Sequence, residues 1–103
     1  MASYGESGLK ALKTIIKYLK FKKERYGRDS PCFTYEGLRK FITYERLNIK
    51  FTTLERSIRK LAEDGIVKRI VRRRGKEVFF CLDTDYPIVN YLMGVTRWVR
   101  SAS

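Results

Sequence analysis

The apolar positions of this chain recur first at helical spacing, then at strand spacing, then at helical spacing again. From Gly8 to Tyr26, Leu9, Leu12, Ile16 and Leu19 return at intervals of three and four residues, with Ile15 widening the stripe. That rhythm predicts an amphipathic helix whose other face carries Lys10, Lys13, Lys17 and Lys20. The run Gly27 to Pro31 breaks it with turn formers and a proline, and Cys32-Phe33 reads as a short extended pair. Thr34 then fits the N-cap of a second helix from Tyr35 to about Arg46, with Leu38, Phe41, Ile42 and Leu47 inward and Gly37 weakening its first turn. After the short link Asn48-Ile49-Lys50-Phe51, Thr52 with Glu55 three residues on predicts a capped helix start. Leu54, Ile58, Leu61 and Ala62 form its inner stripe, and Gly65 ends it.

Past Gly65 the period shortens. Ile66–Arg73 and Val78–Leu82 are rich in branched and aromatic residues and predict two strands. The turn between them is Arg72-Arg73-Arg74-Gly75-Lys76, four cations around one glycine. Asp85 reads as the N-cap of a last helix from Tyr86 to about Arg100, with Pro87 in its first turn. Ile88, Leu92, Val95 and Val99 make one apolar stripe on that helix, and Tyr91 and Trp98 make a second. A helix apolar on two sides must bury both. In a chain of 103 residues the second side predicts a dimer interface formed by Tyr91, Leu92, Val95, Trp98 and Val99. The alternative is a set of half-exposed surface aromatics. The resulting order, helix, strand, helix, helix, strand, strand, helix, is an α+β domain at residues 8–82, with a loose tail at 1–7 and the last helix at 83–103.

Charge narrows the partner. The net charge is +12 and it is unevenly placed. Residues 50–76 hold ten Lys/Arg against three Asp/Glu, residues 9–25 hold seven against one, and residues 77–103 are slightly acidic. A small domain this basic points to a polyanion, because neutralising phosphates releases their counterions. A lysine face on the first helix is either a solvated surface or a track for a DNA backbone, and Lys22 and Lys23 extend it. No run reaches the roughly 18 apolar residues of a membrane span, and the first residues lack a signal-peptide layout, so an intracellular protein without membrane contact is expected. With no histidine, no CxxC, no glycine-rich phosphate loop and no carboxylate cluster, neither a metal site, a cofactor, a small-molecule ligand nor an enzyme is expected.

The second helix at Thr34–Arg46, the third at Thr52–Asp64 and the hairpin Ile66–Leu82 together resemble the winged helix-turn-helix family. The phrase Leu61-Ala62-Glu63-Asp64-Gly65-Ile66-Val67 is similar to that family's junction between recognition helix and first wing strand. The appended last helix resembles the dimerisation helix of small prokaryotic regulators, including PadR-like ones. The resemblance implies a three-helix core with a small antiparallel sheet, and double-stranded DNA as the partner of a homodimer. It implies that the third helix enters the major groove with Arg56 on base edges, Thr52 and Thr53 beside it, and Arg59 and Lys60 on phosphates. Arg72, Arg73, Arg74 and Lys76 would then lie on the backbone or minor groove, unless strand alternation turns Arg72 behind the sheet; Lys50 would lie near phosphates, and Tyr35 either reaches one through its hydroxyl or simply packs. Glu63 marks the limit of the footprint. In this family the first strand pairs with the last wing strand, so Cys32 and Cys81, otherwise two core thiols, become neighbours and candidates for a disulfide. A transcriptional regulator is the leading reading. A partition or chromatin-type protein that spreads along DNA, and an RNA-binding or protein-docking winged helix, are the alternatives.

Overall fold

The computed structural model of the chain describes residues 5–72, 74–75 and 77–93. Arg73, Lys76, Val95, Trp98 and Val99 lie outside the described residues, as does all of the expected last helix beyond Met93. The elements run α1 (Gly5–Tyr26), β1 (Cys32–Phe33), α2 (Tyr35–Tyr44), α3 (Phe51–Glu63), β2 (Val67–Arg72), β3 (Glu77–Leu82) and α4 (Pro87–Met93). Among the described residues, four helices and a three-stranded antiparallel sheet of order β1-β3-β2 make this an α+β fold. None of the described helices is long and apolar enough to cross a membrane.

One core joins all the elements. α1 contributes Ala11, Leu12, Ile15, Ile16 and Leu19, α2 contributes Leu38 and Ile42, and α3 contributes Leu54, Ile58 and Leu61. Phe33, Val67, Phe80 and Leu82 close it from the sheet, Ile66 closes it from the bend before β2, and Val89 closes it from α4. The α2 and α3 stripes are the expected ones. On α4 the deepest residue is Val89, with Ile88, Leu92 and Met93 only partly buried around it.

The helix ends differ from expectation in instructive ways. α1 starts at Gly5, so residues 5–7 are helical rather than tail. Thr34 caps α2 as expected, its hydroxyl accepting from the Gly37 amide at 3.0 Å. α2 stops at Tyr44, not near Arg46, because Arg46 turns left-handed at φ 54°. The Arg46 amide then donates to the Thr43 carbonyl and the Leu47 amide to the Ile42 carbonyl. That pairing is a Schellman end, and it folds Leu47 back against the core. α3 ends the same way at Gly65, φ 83°, with the Ile66 amide on the Leu61 carbonyl and Ile66 fully buried.

α3 begins one residue earlier than expected and without the expected cap. Lys50 is its N-cap residue and makes no side-chain cap. The physical reason is Phe51, whose ring packs edge-on against Tyr35 at 5.7 Å and lies under the Arg39 guanidinium at 4.9 Å. Holding that ring draws Phe51 into the first turn and moves Thr52 past the capping position. Asp85 likewise does not cap α4. The Tyr86 carbonyl accepts the first helical bond, from the Asn90 amide, while Asp83 accepts from the Asp85 amide in a local turn.

Candidate nucleic-acid interface

α3 buries Leu54, Ile58 and Leu61 and therefore turns Thr52, Thr53, Arg56, Arg59, Lys60 and Glu63 to solvent. Arg56 and Glu63 lie almost opposite the buried stripe, two turns apart on one line. All five expected contact residues are exposed and share this face. The ion pairs among the described residues, Lys23–Asp29 at 3.6 Å and Lys40–Glu36 at 3.7 Å, involve none of them. With no side-chain cap, the first-turn amides of α3 lack the partner a cap would give, at the end where the helix dipole favours an anion. Lys50 is exposed beside that end.

The hairpin divides its cations between two faces. Antiparallel register pairs Val67 with Leu82, Arg69 with Phe80 and Val71 with Val78, so these share one face. Lys68 with Cys81, Ile70 with Phe79 and Arg72 with Glu77 share the other. Phe80 is buried in the core, so Arg69 sits on the core-facing side, while Arg72 lies on the reverse with its guanidinium 5.5 Å from the Phe79 ring centre. At the tip Arg74 and Gly75 both take positive φ, 58° and 85°, as a two-residue turn matched to strand twist requires. Arg74 is exposed there. The flanking Arg73 and Lys76 belong to the undescribed residues named above.

Tyr35 packs rather than standing free. Its ring stacks on Phe80 at 4.4 Å, and burial raises its hydroxyl pKa; Glu55 raises it further, while Arg59 and Arg69 oppose the shift. Charges from two elements, Arg59 of α3 and Arg69 of β2, thus both act on this tyrosine. Arg69 was not singled out in the sequence, where Lys68 and Arg69 look alike and only the strand register separates them. Arg39 on α2, exposed and stacked on Phe51, is a second cation that sequence reasoning missed.

On α1 the lysines part company. Lys10 meets the start of α3 across a shallow groove of about 200 Å³, lined also by Thr14, Ile49, Lys50 and Thr53. Lys13 and Lys17 line an adjoining groove with Leu47 and Ile49. Lys22 is not available as a loose phosphate contact. Its ammonium donates to the Cys32 carbonyl at 2.8 Å and lies over the Tyr18 ring, and desolvation lowers its pKa. Lys23 is exposed and paired with Asp29.

On α4, Tyr91 points outward and is 68 % exposed, whereas Leu92 packs against the chain's own core. Cys32 and Cys81 are bonded to each other across the β1–β3 pair. Among the described residues no cluster of histidine, cysteine or carboxylate side chains could hold a metal. No protein-family model, curated protein or solved structure matches this chain.

Proposed function

We propose that the chain is a winged helix-turn-helix domain that binds double-stranded DNA as a homodimer, most simply as a transcriptional regulator. The observation that carries this is the outward face of α3. Thr52, Thr53, Arg56, Arg59 and Lys60 stand exposed on it, without an ion-pair partner among the described residues, beside an uncapped helix start. A helix presenting hydroxyls and arginine forks suits the major groove, where an arginine can pair with guanine O6 and N7. Arg56 takes the base-edge role, Arg59 and Lys60 hold phosphates, and a phosphate completes the first-turn amides of α3. Arg69 adds a contact on the core-facing side of the hairpin, and Arg74 follows the backbone at its tip. The dimer forms through the outer face of α4 around Tyr91. The chain works by binding, with no catalytic step and no cofactor.

One observation favours a second reading, of a partition or chromatin-type protein that spreads along DNA. Lys10 adjoins Lys50 and Thr53, so the exposed lysines of α1 continue the α3 surface. A footprint with rising protein separates the two readings. The regulator gives two protected half-sites about 10 base pairs apart, or a multiple of that. Spreading gives protection that grows outward from one site. Protection of neither kind, with binding that ignores sequence, argues against both.

A further inference from the structure

The far end of α1 carries a feature that the α3 surface does not use. Arg25 is about 22 Å along the helix from Lys10, at 1.5 Å per residue. There Phe21 gathers two tyrosines, with ring centres 6.4 Å from Tyr26 and 5.9 Å from Tyr44 of α2. Both tyrosines are largely open to solvent, at 62 % and 61 %, though their neighbours Phe41 and Phe21 are buried or half-buried. Arg25 lies over both Phe21 and Tyr44, 5.8 Å from each ring, and donates to the Tyr44 hydroxyl at 3.3 Å. A guanidinium has five donors, so that bond does not exhaust it. Arg28 is exposed on the loop that follows α1, and Lys23 is exposed near the end of α1, where it pairs with Asp29.

Flat rings held open among cations are the composition of a stacking platform for nucleic acid. A duplex hides the faces of its bases, so such rings can engage only unpaired ones. A protein partner fits less well, because the two rings are small, open and split by a guanidinium rather than gathered into an apolar interface core. We propose that this patch binds a single-stranded nucleic-acid segment, with unpaired bases stacking on Tyr26 and Tyr44 and phosphates held by Arg25 and Arg28. The site is separate from the α3 face and does not depend on the duplex reading.

The test measures anisotropy of labelled oligo-dT and oligo-rU, each about twelve nucleotides and so within the usual span of about 4–16 per binding module, and of a mixed-sequence duplex, at one salt concentration. The full chain is compared with its Tyr26→Ala, Tyr44→Ala, Tyr26→Phe and Arg56→Ala variants. Each alanine is expected to weaken oligomer binding about fivefold to a hundredfold, the range for losing one stacked base. Tyr26→Phe should bind the oligomers like the parent, because the ring face is kept, and duplex binding should be unchanged by all three tyrosine variants. Binding of either oligomer supports the site, and the tighter one names the strand as DNA or RNA. The proposal is overturned if the parent binds neither oligomer, if the alanine variants bind as the parent does, or if Tyr26→Phe loses as much as Tyr26→Ala. It is also overturned if Arg56→Ala weakens the oligomers as much as Tyr26→Ala. A failure confined to the duplex arm counts against the α3 reading alone.

Discussion

Removing the Cys32–Cys81 bridge should cost this domain a large share of its stability. β1 has only two residues, Cys32 and Phe33, paired with Cys81 and Phe80, with one further bond from the Leu82 amide to the Pro31 carbonyl. So short a strand holds little by hydrogen bonding, at about 1 kcal/mol net per bond. The cross-link acts mostly on the unfolded chain. Closing a loop across a separation of 49 residues removes about 14 cal/mol/K of chain entropy, about 4 kcal/mol at 25 °C. A domain of this size has about 5–15 kcal/mol in total. At about 4–8 °C per kcal/mol the melting point should fall by about 15–30 °C. The folded state itself should survive, because Phe33 remains buried against Phe80. The assay is thermal and urea unfolding of the parent with and without reductant, beside a Cys32→Ala/Cys81→Ala double variant. The double variant should resemble the reduced parent and ignore reductant. A parent whose midpoint does not move on reduction, with both thiols then titrating as free, would refute the reasoning.

Three further outcomes follow from local geometry. Gly37→Ala should destabilise by about 1–3 kcal/mol through overpacking, despite the helix propensity it gains, because the new methyl would collide with the Tyr18 hydroxyl; urea unfolding reads it, and a stabilised variant contradicts it. Arg46 and Arg74 both hold left-handed backbone, a strain of about 1–2 kcal/mol in a non-glycine residue. Glycine at either position should therefore stabilise by about 0.5–1 kcal/mol after its own entropy cost of about 0.5–1 kcal/mol, and only Arg74→Gly should also weaken duplex binding. The raised pKa of Tyr35 means the folded state favours its neutral form. That stability is present in full below the unfolded value of 10.0 and is lost as pH rises through the higher folded value. Stability measured from pH 8 to 12 should thus fall more steeply for the parent than for Tyr35→Phe, and parallel curves would contradict this.

Much of the scaffold could be read in advance where one residue type has one physical use. Leu54, Ile58 and Leu61 gave the buried side of α3 and so its exposed side, and Gly65 marked the end. The end of α2 was hidden because its left-handed position is filled by Arg46, which carries no local signal for that backbone. The start of α3 was misplaced because Thr52 and Glu55 advertise a cap, while the ring of Phe51, fixed by Tyr35 and Arg39 from α2, decides the matter. Strand alternation already sets Arg72 apart as a residue that could fall behind the sheet, but only the register of β2 on β3 puts Arg69 on the opposite, core-facing side. Lys22 looks in the sequence like one more open lysine, solvated or on a phosphate, yet its ammonium is drawn inward by a carbonyl and a ring. The patch of Phe21, Tyr26 and Tyr44 is assembled from two helices and leaves no spacing pattern to find.

The most direct measurement pairs Arg56→Ala with Arg74→Ala on two duplexes, one selected from a random pool by the parent and one of scrambled sequence, over a series of salt concentrations. If α3 reads bases through Arg56, its loss should reduce the preference for the selected duplex by about 1–3 kcal/mol, roughly fivefold or more. Arg74→Ala should instead weaken both duplexes alike and lower the salt slope by about one. Equal losses on both duplexes for Arg56→Ala, with the preference intact, would contradict the assignment of α3 as the reading helix.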